Sequence, residues 1–206
     1  VLPSVYYSSS KGPVISGLSK PDIVAPGVDV NSAKSHGPNV DGISVNATFD
    51  SNVIKKSGTS MSTPAVAALA LIISQYFQEG YYPGIKKNSG DSITPSSCLL
   101  RALLVNTADK PNSDSKSGPS IESGFGIPCL ERALGFNGNG LRFVDNEIIY
   151  SNSHHVYKIS IDSNSTDLNI TLVYLDPPLD PENEAILFAD LDLYVKSPNG
   201  DIYMGN

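Results

Sequence analysis

The sequence predicts two architectures in series: an α/β part over residues 1–138, then an incomplete antiparallel all-β part over residues 139–206. Three observations predict it. Ala65–Ile73 is an unbroken apolar run of helical length. Leu99, Leu100, Leu103 and Leu104 form a second apolar stripe with i, i+3, i+4 spacing. Beyond Gly140 the apolar residues recur at every second position, the period of a strand with two unlike faces.

Taken in order, residues 1–50 are rich in Ser, Gly, Pro and Asn, with one short apolar segment in KPDIVAPG (Lys20–Gly27). Pro21 and Pro26 bound Asp22–Ala25, which predicts a short strand that leaves its sheet abruptly. Ala65–Ile73 would cover every face of a helix, so that helix is predicted to be buried all round, with Gly80 as its stop. A second helix is predicted over Ser96–Ala108 behind a Ser cap. Lys110–Pro128 reads as a loop leading to a short helix across Leu130–Leu134, and FNGNG (Phe136–Gly140) as a boundary. Tyr157, Ile159 and Ile161, then Leu168, Ile170, Leu172 and Tyr174, then Leu191, Leu193 and Val195 predict half-buried antiparallel strands. Asn199 and Gly200 supply two positive φ angles for a tight hairpin turn, whose second strand runs out at Asn206. A sheet without its leading strands would also leave an unpaired edge and an uncovered face of the first helix.

Composition excludes several functions. A net charge of −7 with no block of Lys or Arg gives no footprint for nucleic acid or an anionic membrane surface. The longest apolar run, nine residues, falls short of the roughly 20 that span a bilayer, so a soluble chain without membrane insertion is expected. No stretch from Val1 onward combines a basic start, an apolar segment and a small-residue cleavage site, so no signal peptide is expected within these residues. Cys98 and Cys129 make no CxxC and sit in no zinc-spaced cluster, so neither a metal site nor a redox dithiol is expected. Cys98, ahead of Leu99 and Leu100, suits a buried free thiol, with a Cys98–Cys129 disulfide as the open alternative. N-x-[ST] triplets at Asn46, Asn164 and Asn169 favour a secreted or lumenal protein weakly, which leaves localisation open.

The densest chemistry lies in SGTSMSTP (Ser57–Pro64), just ahead of the apolar helix. A helix start presents orphan N–H groups and the positive end of the macrodipole, so a hydroxyl there lies beside ready-made oxyanion stabilisation. Gly58 lets the chain turn tightly and lets another backbone come close. Pro64, expected in the first turn, would remove a donor only where donors are already orphaned. On this reading the small polar residues form an exposed elbow held by a buried rod. The plainer reading is that Ser60 and Ser62 merely cap the helix.

SGTSMSTP resembles the nucleophile motif GTSMAxP of the subtilisin-like serine proteases, the subtilases. SSSKGP (Ser8–Pro13) and KPDIVAPG resemble the segments that precede that motif, and LLRALLVNTA (Leu99–Ala108) and GFG (Gly124–Gly126) those that follow it. ITLVYLDPP (Ile170–Pro178) and DLDLYVKSPNGDIYMGN (Asp190–Asn206) are similar to the β-sandwich or jelly-roll domain behind the protease domain in one subtilase subgroup. The resemblance implies a mostly parallel-sheet subtilisin-like domain over residues 1–138 and a truncated β-sandwich or jelly-roll over 139–206. It implies a serine endopeptidase acting on polypeptides, with Ser60 as acylating nucleophile and its own N–H as one oxyanion donor. Gly58 and Thr59 would shape the oxyanion and substrate-binding turn.

In the family the catalytic Asp, the His and the oxyanion Asn come before the Ser, in segments that would precede Val1. A serine without its base is a poor nucleophile, and loss of the triad histidine from subtilisin costs roughly 10⁶ in kcat. The 206 residues alone are therefore expected to be almost inert. His36 reads as a surface loop residue, and His154 and His155, opening a strand, point to opposite faces. Asp22 reads as structural. Asp190 and Asp192 share one strand face, and Asp176, Asp180, Glu182 and Glu184 form an acidic loop; both read as solvated, with calcium the minor alternative and no organic cofactor. The rival from another class is a non-catalytic protease homologue that binds protein or carbohydrate.

Overall fold

The computed structural model describes residues 4–15, 17–34, 53–111, 118–136, 140–161, 168–177 and 187–205. His36, Asn46, Asn164, Asp180, Glu182 and Glu184 lie outside the described residues.

Strand β1 (Val30–Ala33) pairs antiparallel with β2 (Val53–Lys56), Val30 opposite Lys56 and Ala33 opposite Val53. One residue pair later the chain enters helix α1 (Thr59–Gln78). A single 3-10 turn at Ser89–Asp91 precedes α2 (Ser97–Asn106), and α3 (Leu130–Ala133) follows a long connection. Strands β3 (Tyr194–Lys196) and β4 (Ile202–Met204) form a second antiparallel pair. The expected parallel sheet does not form among the described residues, where both sheets are two-stranded and antiparallel.

The core lies where the three helices meet. Ile73, Tyr76 and Phe77 of α1 pack with Leu99, Leu103 and Leu104 of α2 and with Ala133 and Leu134 at the end of α3. Phe77 is fully buried, and the Phe143 ring meets it edge-on with centroids 5.4 Å apart. Burying such a ring stabilises by about 1.5–3 kcal/mol. The chain beyond residue 138 continues onto this core, since Leu141 and Phe143 pack against it and Tyr82 donates its hydroxyl to the Leu141 carbonyl at 3.0 Å.

α1 is not buried all round, as the sequence predicts, but along one stripe. Its partners sit on one side only, so Val66, Leu69, Ala70, Ile73 and Phe77 turn inward while Leu71 is 71% and Ile72 43% exposed. Among the described residues α1 has the length and composition of a membrane span, yet its inner stripe is spent on α2 and α3. The expectation of an uncovered helix face is met at Leu71 and Ile72. The stop at Gly80 also holds: Tyr81 N–H bonds the Tyr76 carbonyl at 3.1 Å and Gly80 N–H bonds that of Phe77 at 3.0 Å, with Gly80 at φ 71°. Pro64, however, falls in the second turn, because the helix already begins at Thr59.

α2 is capped as the sequence predicts. Ser96 Oγ accepts from Leu99 N–H at 3.0 Å, and the helix ends at Asn106, slightly short of Ala108, where the Thr107 hydroxyl returns to the Leu103 carbonyl at 2.7 Å.

Asp22–Ala25 is extended without becoming a strand. Val24 N–H bonds the Gly126 carbonyl at 2.9 Å and Phe125 N–H bonds that of Asp22 at 2.7 Å, and Pro26 stops the ladder there. Tyr157–Ile161 and Leu168–Tyr174 likewise form no ladder, and Tyr157, Ile159 and Ile161 each stay more than half exposed. A period of two becomes a strand only when a neighbour accepts its hydrogen bonds. At the β3–β4 turn only Gly200 has positive φ, at 97°. Ser197 N–H bonds the Asp201 carbonyl at 2.8 Å and Gly200 N–H that of Ser197 at 3.0 Å, a type I turn with Pro198 in its second position followed by a glycine bulge. Pro198 favours this three-residue loop over the expected two-residue one. Cys98 and Cys129 are free and half-buried, so the disulfide alternative does not form.

Candidate active site

β2 delivers the chain to the start of α1, and Gly58 is the helix N-cap at φ 152°. A glycine has no side chain to cap with. No side-chain cap bonds the first turn and no acidic residue lies in it; Met61 N–H is taken by the Gly58 carbonyl at 3.0 Å, and the remaining donors and the dipole keep their pull on an incoming anion.

The hydroxyls of this turn divide by role. Ser62 donates to the Ala25 carbonyl at 2.9 Å, and Thr63 donates to the Thr59 carbonyl at 3.0 Å. Ser60 is exposed, and among the described residues its hydroxyl has no hydrogen-bond partner. The capping reading thus fails for both serines: Ser62 reaches a neighbouring segment, and Ser60, inside the helix behind Gly58, makes no side-chain cap bond. Thr59 and Gly58 are exposed beside it.

What holds the elbow is the segment 25–29. The carbonyl of Ala25 takes the Ser62 hydroxyl, and the carbonyl of Gly27 takes the Gly58 N–H at 2.7 Å. The N–H of Asp29 donates to the Ser57 hydroxyl at 2.8 Å. Residues 29 and 27 therefore hold Ser57 and Gly58 on one side of Ser60, and residue 25 holds Ser62 on the other. Asp29 sits at φ 51°, in the left-handed region that Asp tolerates better than most residues. The sequence points to close backbone approach at Gly58; Gly27 as the other party carries only a weak signal, a glycine after a proline.

No carboxylate or imidazole among the described residues bonds Ser60. His155 Nδ1 lies 3.8 Å from Glu147 Oε2 and 3.3 Å from the Tyr157 hydroxyl, and His154 is exposed. Asp22 pairs with Lys20 at 2.6 Å while its carbonyl holds the 125–126 turn, a structural task. Asp176 accepts from the N–H groups of Phe188 and Ala189, each at 2.9 Å, so its carboxylate is already engaged by backbone. Asp192 stands close enough to Tyr194 to push that phenol's pKa up, chiefly by its charge. Among the described residues no three His, Cys, Asp or Glu side chains gather as metal ligands.

A profile of the subtilase family matches residues 3–127, which include the elbow, the splinting segment and the GFG turn. The chain belongs to the subtilase family. Its curated relatives carry the protease description in their names. The serine protease/ABC transporter B family protein tagA of Dictyostelium discoideum is 31% identical over 225 aligned positions that cover 100% of this chain and 12% of the relative. Serine protease AprX of Bacillus subtilis is 42% identical over 102 residues, 50% of this chain and 20% of the relative. Subtilisin-like protease SBT3 of Solanum lycopersicum is 34% identical over 145 residues, 64% of this chain and 17% of the relative. The chain thus spans a fifth or less of these relatives, and this subtilase segment carries the serine elbow.

Proposed function

We propose that the full-length protein containing this chain is a serine endopeptidase acting on polypeptides, with Ser60 as its nucleophile. The observation that carries this is the exposed Ser60 hydroxyl, free of partners among the described residues, in a first turn of α1 without a side-chain cap, on an elbow held at three points by residues 25–29. Family membership supports the same role.

Ser60 Oγ attacks the scissile carbonyl and passes its proton to a histidine from outside these 206 residues. The oxyanion is received by the Ser60 N–H at the helix start, with Gly58 and Thr59 shaping the turn around it. The amine leaves with the proton returned by the histidine, and water then releases the acyl group. The triad Asp, the His and the oxyanion Asn come from other segments of the protein, so the 206 residues alone should be almost inert. No organic cofactor takes part. Residues 1–138 form the C-terminal portion of the catalytic domain, and residues 139–206 enter a β-sandwich or jelly-roll domain.

A fluorophosphonate probe tests this on the full-length protein. Covalent labelling that disappears in Ser60→Ala is the expected result. A folded full-length protein that never labels overturns it in favour of a non-catalytic scaffold.

A further inference from the structure

We infer that Gly27 is a positioning residue for Ser60, required there for space rather than for backbone freedom. The inference rests on the reading of Ser60 as nucleophile and extends it to a residue 33 positions earlier, counted from 27 to 60.

Gly27 has an ordinary φ, so its backbone places no demand on residue type. The demand is contact. A Cβ at this position would lie 2.2 Å from Ser62 Oγ and 2.8 Å from the Gly58 carbonyl oxygen. Both are closer than real Cβ contacts come, and the two obstacles bracket Ser60 in sequence. The Gly27 carbonyl meanwhile holds Gly58 N–H at 2.7 Å, so the segment cannot back away without giving up that bond. The segment is also pinned at Ala25 by the Ser62 hydroxyl and at Asp29 by its N–H to Ser57. A methyl group at residue 27 must therefore turn the Ser62 hydroxyl out of its bond to Ala25 and press on the Gly58 carbonyl, and either shift disturbs the elbow that carries Ser60.

The contact with Ser62 Oγ is the tighter, and it can be removed separately. Ser62→Ala deletes the atom that the new Cβ strikes first, which leaves only the milder approach to the Gly58 carbonyl. Gly27→Ala should therefore misplace Ser60, and the double variant Gly27→Ala/Ser62→Ala should recover part of the loss. A displacement on the order of 1 Å at a reacting group costs up to about 100-fold.

The test uses the full-length protein and the rate constant for acylation by a fluorophosphonate probe, read at a temperature where the thermal melt shows each variant folded. The expected result is a fall of about 10- to 100-fold in Gly27→Ala and partial recovery in the double variant. A Gly27→Ala protein whose folded molecules label at the wild-type rate, with only its Tm lowered, overturns the inference and leaves Ser60 as nucleophile. A double variant no faster than Gly27→Ala overturns the steric account. A wild-type protein that never labels removes the nucleophile itself, and the inference with it. Should Gly27→Ala fail to fold, the double variant against Ser62→Ala alone gives the same comparison: equal rates overturn the inference, and a slower double variant supports it.

Discussion

The Asp145 carboxylate accepts from both the peptide N–H of Ser96, at 2.9 Å, and the Ser96 hydroxyl, so a residue past the FNGNG segment fixes the cap of α2. Ser96 Oγ in turn accepts from Leu99 N–H. Asp145→Ala leaves a half-buried cap without its acceptor and should destabilise by about 1–3 kcal/mol. Chemical denaturation checks it, and Asp145→Asn, which keeps an acceptor, should cost less. Equal losses in the two variants would sink the account.

Position on α1 should decide the cost of truncation. Phe77→Ala removes a fully buried ring and should cost about 3–5 kcal/mol. Leu71→Ala, at a side chain 71% exposed, should change stability by less than about 0.5 kcal/mol in the 206-residue chain. Melting curves of the two variants distinguish a one-sided helix from one buried all round, which would make both expensive.

Gly80→Ala should be costly for two reasons. The residue sits at φ 71°, and a Cβ there would lie 1.9 Å from the Asn88 carbonyl oxygen. The loss should exceed the roughly 1 kcal/mol of a left-handed alanine alone. A Tm unchanged by the substitution would refute the helix stop described above.

The exposed pair Glu79–Lys87, 2.9 Å apart, makes a pH prediction. Hydrogen bonds from Gln75 and then Lys87, with the Lys87 charge, hold the Glu79 carboxyl below its ordinary 4.5, and the bond to Glu79, then its charge, raises Lys87 above 10.5. A lowered acid contributes stability above its unfolded pKa and loses it as pH falls through the folded one; a raised base contributes below its unfolded pKa and loses it as pH rises through the folded one. The pair therefore contributes between about pH 4.5 and 10.5 and fades outside that window. Because both groups are solvated, the effect is small and weakens with salt. Comparing Tm across pH for Lys87→Met and the parent protein checks it; parallel profiles would contradict the pairing.

Much of the site is legible in the sequence because local rules decide it. Small residues ahead of an apolar run announce a helix start, and Gly80 and Ser96 announce an end and a cap. What is not legible depends on distant partners. Ser62 looks like a cap residue until Ala25 is seen beside it, and Gly27 looks like loop filling until Gly58 approaches. The apolar run gives the helix but cannot say which faces find neighbours, and Leu71 and Ile72 stay exposed. Tyr157, Ile159 and Ile161 carry the alternation of a strand, yet alternation specifies a face and not the strand that would pair with it.

Pro64 stands four residues after Ser60, the position from which a helical amide would reach the Ser60 carbonyl. The ladder of peptide bonds along α1 therefore has a rung missing at the exposed Ser60. The turn bearing Ser60 can tilt against the rest of the rod without rupturing an amide link at that rung, so its orientation is governed from the side, by Ala25, Gly27 and Asp29, more than by the helix below. Amide exchange at Thr63 and Ala65, on either side of that rung, should slow when Pro64→Ala restores it.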